Sequence, residues 1–179
     1  MIANEGETTI AIREALVRRA AGGNLGALDD LLREMWPSAF KIAWSVLRNH
    51  VAAEDAAQDA CAQVAAKLGT LRAPEAFSTW FYRIVVRAAT RYRATPLESL
   101  GDHAADMPDI EDRLDLGKQI LRLPQPLRLT VVLRYYLDCN STEIGEILGI
   151  PAGTVRFRLA AARDQLRAAL TGPDSGGAS

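Results

Sequence analysis

The stretch that most constrains this chain runs from Asn140 to Leu170, NSTEIGEILGIPAGTVRFRLAAARDQLRAAL. Asn140 has a short polar side chain that can accept from the free N–H groups of a helix start. Glu143, three residues on, can return the bond, so the pair predicts a capping box. Ile144, Ile147 and Leu148 follow at helical spacing. Gly149 predicts the stop, because glycine enters the left-handed conformation without steric cost. Pro151 and Gly153 keep the connection short, and a second helix is expected from about Thr154. Its apolar face would be Val155, Leu159, Ala162, Leu166 and Leu170, while Thr154, Arg156, Phe157 and Arg158 open its other face. Two helices, a glycine turn and a basic first turn on the second helix describe a helix-turn-helix. The second helix of such a unit enters the major groove and meets base edges with its N-terminal residues. The competing reading is a plain helical hairpin whose arginines are a solvated face. The short connection and the uncompensated arginines favour DNA.

A chain of 179 residues has room for one or two small domains. Alanine is abundant and strand-type alternation is scarce, so the expected fold is all-α. The net charge of −1 hides an uneven distribution. Glu98 to Asp115 carries seven acidic residues against Arg113 alone, a net −6. Lys118 to Leu170 is +4, and Phe77 to Arg93 holds four arginines and no acid. Two basic blocks therefore flank an acidic bridge. Cys61 and Cys139 stand alone, without metal-ligand spacing, and are expected to be buried free thiols. The N-terminus lacks a basic-plus-apolar leader pattern, and no apolar run approaches the ~18 residues of a membrane span. A reducing cytoplasm is the expected compartment. No metal set, nucleophile–base pair or phosphate loop is visible, so neither an enzyme, a cofactor nor a small-molecule substrate is expected.

The expected organisation follows from breaks in periodicity. Residues 1–23 form an N-terminal segment, polar and frayed to residue 9, with a short helix starting near Ile10 and ending at Ala21-Gly22-Gly23. Residues 24–95 form the first domain. Asn24 caps a helix striped by Leu25, Leu28, Leu31, Leu32 and Met35, which Pro37 is expected to break or kink. Phe40, Ile42, Ala43, Val46 and Leu47 continue on a third helix. After Asn49-His50, Val51, Ala57, Ala60, Cys61, Val64 and Leu68 point inward, while Glu54, Asp55, Gln58 and Asp59 occupy another face. His50 reads as a junction or capping residue. In AFSTWFYRIVVRAATRYR, Phe77, Phe81, Ile84, Val85 and Ala88 are spaced for the core, and Trp80, Arg83, Arg87 and Arg91 form a partly separate stripe. Rings that stack on bases beside guanidinium groups that hold phosphates suit a nucleic-acid strand. Equally open at this point, Trp80 is core and the arginines are surface. Residues 96–117 read as a flexible acidic linker with a short helix near Ile110 to Leu116, 118–170 as the second domain, and 171–179 as a disordered tail.

Three stretches in this order resemble the extracytoplasmic-function (ECF) group of bacterial sigma factors, within the sigma-70 superfamily. They are AEDAAQDA (Ala53 to Ala60), FSTWFYRI (Phe77 to Ile84) and LRYYLDCNSTEIGEILGIPAGTVRFRL (Leu133 to Leu159). The resemblance extends from about Leu16 to Leu170, with Asn24 to Arg93 similar to sigma domain 2 and Lys118 to Leu170 similar to sigma domain 4. It implies a factor that binds core RNA polymerase and directs it to promoter DNA with −10 and −35 elements. It further implies an anti-sigma partner and no membrane contact of the chain's own. By the same resemblance Glu54, Asp55, Gln58 and Asp59 face the polymerase. Gly69 to Glu75, with Leu71 and Arg72, is similar to the loop that captures a flipped −10 base. Thr79, Trp80, Arg83, Arg87 and Arg91 belong to the helix facing −10 DNA. Thr154, Arg156, Phe157, Arg158 and Arg163 belong to the −35 reader. The acidic linker is similar to the segment threaded toward the RNA-exit channel.

Several positions depart from the family pattern. Cys61 replaces a large aromatic, Arg87 an asparagine, and Arg91 an asparagine or aspartate. Ala161 lacks a common basic residue. Phe157 replaces a small polar residue; it could pack on a thymine methyl or meet a protein. Two other readings stay open: a sigma-like decoy that binds only a regulator, and a stand-alone helix-turn-helix repressor.

Overall fold

The computed structural model describes residues 4–94 and 114–171. The expected linker up to residue 113 and the tail from 172 lie outside the described residues. Among the described residues there are eight α-helices, two single 3-10 turns and no strand. The helices are α1 (Asn4–Ala21), α2 (Leu25–Leu47), α3 (His50–Lys67), α4 (Phe77–Ala94), α5 (Leu114–Arg122), α6 (Gln125–Tyr135), α7 (Ser141–Leu148) and α8 (Ala152–Thr171). The 3-10 turns, Leu68–Thr70 and Pro74–Ala76, carry the chain from α3 to α4.

Helices α1 to α4 form the first packed unit. Ala53, Ala56, Ala57 and Ala60 of α3 are wholly buried, and their small side chains let α2 and α4 approach closely. The space between is filled by Leu31, Met35 and Ile42 of α2 and by Phe77, Phe81 and Val85 of α4. Rings of Phe77 and Phe81 sit 5.7 Å apart in a tilted pair, a geometry that aromatic quadrupoles prefer to a flat sandwich. Asn24 and Asn49 cap α2 and α3, each accepting from the backbone N–H three residues on, at 2.8 and 2.9 Å.

Several expectations are corrected here. The first helix starts at Asn4, six residues before Ile10. Pro37 does not break its helix: α2 runs through it as one element. An interior proline costs about 3 kcal/mol. It is tolerated because apolar residues on both sides, Leu31 and Met35 before it and Ala39, Phe40 and Ile42 after it, are buried along one continuous seam. Leu25 and Val51 are solvent-exposed rather than inward. Each sits in the first turn of its helix, beyond the reach of the neighbouring helices. Cys61 is half-buried rather than buried, and Leu170 is exposed at the outer end of α8.

Helices α5 to α8 form the second unit. Ile120, Leu123, Val131 and Ala162 make a small core among α5, α6 and α8. The capping box is present: Asn140 Oδ1 accepts from Thr142 N at 2.9 Å and Glu143 N at 3.0 Å, and Glu143 Oε2 accepts from Asn140 N at 2.6 Å. Gly149 adopts φ 69°, ψ 37° and ends α7. The chain then folds back so tightly that Ile150 N donates to Gly145 O at 3.0 Å.

The two units pack on each other. Leu129, Leu133, Ile144 and Ile147 join the same apolar cluster as α1–α4. Helix α6 lies against α2, and α7 against α4. At this seam the guanidinium of Arg128 is 5% exposed. Its Nε donates to Ser45 O at 2.7 Å, and its Nη1 to Leu123 O at 2.8 Å and Leu121 O at 3.1 Å. Ser45 O belongs to the last turn of α2, where helix carbonyls lack partners. Arg128 thus supplies, from the second unit, a cation at the negative end of a helix in the first.

Candidate nucleic-acid and polymerase interface

Three surfaces carry the residues singled out from sequence. On α3, Asp55, Gln58 and Asp59 are exposed and Glu54 is half-buried. The alanines on the opposite side fix this orientation by burying themselves. Two of the four carry local partners. Glu54 Oε2 lies 3.6 Å from His50 Nδ1, and Asp59 Oδ2 accepts from Tyr92 Oη at 2.9 Å. Accepting that bond, the Asp59 carboxylate raises the Tyr92 phenol above its ordinary value, with burial and the Asp59 charge adding to the effect. His50 is a junction residue, its ring 5.0 Å from Phe40. Among the described residues no cluster of three His, Cys, Asp or Glu could hold a metal ion.

The second surface runs from the 3-10 turns onto α4. Arg72 and Arg87 are exposed, and Leu71, Trp80 and Arg83 are half-buried. Trp80 leans on Phe77 with ring centroids 6.1 Å apart. It is therefore part wall of the core and part surface, between the two alternatives the sequence left open. Arg83 Nε is buried and has no hydrogen-bond partner. Thr79 is set apart from the arginine stripe. With Ser78 and Tyr82 it lines a cleft of about 760 Å³ between the two units, opposite Tyr136, Leu137, Asp138 and Cys139.

The third surface is α8. Arg156 and Phe157 are exposed, Thr154 and Arg158 half-buried, and Val155, Leu159 and Ala162 face inward. Arg156 and Arg163 line a cleft of about 410 Å³ together with Arg134, Tyr135, Asn140 and Ser141. Sequence reading missed Arg134 and Tyr135 here. Their signal was position: they end α6 beside the start of α7, where a groove beside the second helix must have its other wall. Arg134 is held in place by donating from Nη1 to Cys139 O at 3.2 Å.

Cys139 is a buried free thiol. Burial first, then the carboxylates of Glu143 and Asp138, push it up to about 12 from an ordinary 9.0. A raised folded value means stability that is full below the unfolded value and lost as pH climbs from about 9 toward 12. Because only the thiolate is nucleophilic, native Cys139 should alkylate roughly a hundredfold more slowly than in the unfolded chain at the same pH. Mass spectrometry of iodoacetamide-treated protein measures this; equal rates would show an open thiol.

An all-helical protein of two units, with a capped helix-turn-helix and basic residues on two separate helices, is in its class a DNA-binding factor. The comparisons with known proteins sharpen that class. Residues 31–95 match the Sigma-70 region 2 model and residues 113–166 the Sigma-70, region 4 model. The ECF RNA polymerase sigma factor SigM of Mycobacterium tuberculosis is 30% identical over 160 residues, covering 86% of this chain and 81% of the relative. SigW of Bacillus subtilis, also an ECF RNA polymerase sigma factor, is 28% identical over 173 residues, covering 84% and 92%. The fold is shared with CnrH, solved in complex with the cytosolic domain of CnrY (TM-score 0.67, 23% identity, 88% of this chain and 96% of that one). It is also shared with the sigma factor RpoE of Bartonella quintana, solved in complex with the anti-sigma factor NepR (TM-score 0.60, 22% identity, 79% and 96%). The chain belongs to the ECF sigma factors of the sigma-70 family. Such a factor binds core RNA polymerase and directs it to promoter DNA; it is an initiation factor and not an enzyme by itself.

Proposed function

We propose that three surfaces of this chain divide the work of initiation. The acidic face of α3, with Glu54, Asp55, Gln58 and Asp59, docks on core polymerase. Leu71 and Arg72 beside the 3-10 turns, with Thr79, Trp80, Arg83, Arg87 and Arg91 of α4, take the −10 element as it opens. Thr154, Arg156, Phe157, Arg158 and Arg163 of α8 take the −35 element. Residues 24–95 and 118–170 act as the two sigma domains, with 96–117 as the acidic tether and catalysis left to the polymerase. The observation that carries this reading is the exposure of Arg156 and Phe157 at the start of the second helix of a fully capped helix-turn-helix. Supporting it, Arg83 Nε has no protein acceptor, which leaves that nitrogen for a phosphate oxygen.

An anti-sigma partner fits the same surfaces. The RpoE structure that shares this fold holds an anti-sigma factor, and the CnrH structure a cytosolic domain. No helix among the described residues is long and apolar enough to cross a membrane, and work on polymerase places the chain in the cytoplasm. Run-off transcription with purified core polymerase tests the whole reading. Product that depends on this chain supports it; a regulator-binding decoy or a duplex-binding repressor would give none. Within that assay, Arg156→Ala should weaken −35-dependent initiation by about 1–3 kcal/mol, the worth of a base-edge contact. Unchanged promoter affinity across salt concentrations would show that Arg156 does not touch DNA.

A further inference from the structure

The centre of the DNA-facing side of α8 is a bare phenyl ring. Phe157 is 74% exposed, a large apolar side chain left in solvent. On a helix of 3.6 residues per turn it lies nearly opposite the buried line of Val155, Leu159 and Ala162. Its neighbours one turn away are Gly153 and Thr154 before it and Ala160 and Ala161 after it, all small. The ring therefore stands proud of a low strip. Arg156 and Arg163 flank the strip on one side and Arg158 on the other. A helix laid in the major groove turns the middle of its exposed face to the base edges and its flanks to the two phosphate walls. The arginines occupy the flanks, and a group with no hydrogen-bonding capacity occupies the middle.

Base-edge chemistry narrows what such a ring can read. In the major groove only thymine offers an apolar feature, its C5 methyl; guanine, adenine and cytosine offer acceptors or an amino donor. A phenyl pressed on those edges would strip water from polar atoms and give nothing back. We propose, building on the −35 reading of α8, that Phe157 is a specificity-determining residue that reads a thymine C5 methyl in the −35 element. The contact is made by exclusion: thymine is accepted through its methyl, and cytosine is disfavoured for lacking it.

The test uses the full chain bound to core polymerase. Promoters are selected from a library randomised across the −35 region. In the recovered consensus each thymine is then replaced singly by deoxyuridine, which removes the methyl and leaves every hydrogen-bonding group. At one position this should weaken binding by three- to tenfold, the worth of one buried methyl. Cytosine at that position should bind as poorly as deoxyuridine or worse, and 5-methylcytosine should restore part of the loss. The same replacements should make no difference to Phe157→Ser, while Phe157→Leu, still apolar, should keep a reduced methyl effect. Equal methyl dependence in wild type and Phe157→Ser, or none in wild type, overturns the proposal. If methyls are silent yet Arg156→Ala still weakens binding, only the role of Phe157 falls. If wild type shows no −35 preference and Arg156→Ala is silent too, the −35 reading falls with it.

Discussion

Gly145→Val should collapse the helix-turn-helix and reduce −35-dependent initiation about a hundredfold. A Cβ at position 145 would lie 2.7 Å from the carbonyl oxygen of Ile150 and 3.5 Å from Ala152 N. Both are backbone atoms, so no rotamer change relieves the clash. The crowding arises because the turn after Gly149 folds back on α7, with Gly149 N and Ile150 N both donating to Gly145 O. Overpacking of this kind costs 1–3 kcal/mol, and a branched side chain pushes toward the upper end. Alanine is the milder probe, since its better helix propensity returns up to about 1 kcal/mol. A small helical unit has only a few kcal/mol to lose. Circular dichroism melting should show a transition lowered by several degrees for Gly145→Ala and by more for Gly145→Val. An unshifted melt would mean that the turn does not close on α7 as the structure has it.

Gly145 also marks the boundary between what sequence discloses and what it hides. The capping box, the α7 stripe and the left-handed Gly149 are rules between residues three to five apart, so the helix-turn-helix could be read from Asn140 to Gly149 alone. The two DNA-facing stripes were legible for the same reason, because helical spacing sorts side chains into faces. Pro37 was misread because its local cost is set against burial along α2 that depends on α3 and α4. Leu25 and Val51 were misread because periodicity says which face a residue takes and not whether a neighbour reaches that far along the helix. Thr79 shares α4 with the arginines but lines the cleft toward α7, which no pattern within α4 records. Least legible of all was Arg128. In the run PLRLTVVL it is one basic residue in an apolar helix, and its acceptor at Ser45 is 83 positions away.

Loss of the Arg128 guanidinium should part the two units while leaving their helices intact. In Arg128→Ala three carbonyls lose a charged donor, two of them within the second unit and one across the seam. The group is already held under strain of charge. Burial, with Arg48 and Arg93 nearby, lowers it from 12.5 to about 10, so it stays protonated at neutral pH and must be satisfied by carbonyls alone. Breaking bonds to a buried cation costs about 3 kcal/mol. The remaining polar tie across the seam is Arg93 Nη1 to Gln125 Oε1 at 3.1 Å, which is exposed and worth little. The consequence for function is geometric. With α4 packed on α7, and α7 on α8, the −10 and −35 helices lie within roughly 20 Å, two helix–helix spacings. DNA elements two helical turns apart are separated by about 70 Å. The packed arrangement cannot span both, so binding to polymerase and promoter must open this seam, and Arg128 must leave Ser45 when it does. Spin labels at exposed Ala62 and Ala168, with Cys61 and Cys139 changed to alanine, report the separation. The free chain should give one short distance; Arg128→Ala should give a longer, broader distribution at unchanged helicity, and the polymerase complex a longer one still. A single distance shared by all three would mean that the seam is fixed and that the chain cannot straddle a promoter from this fold.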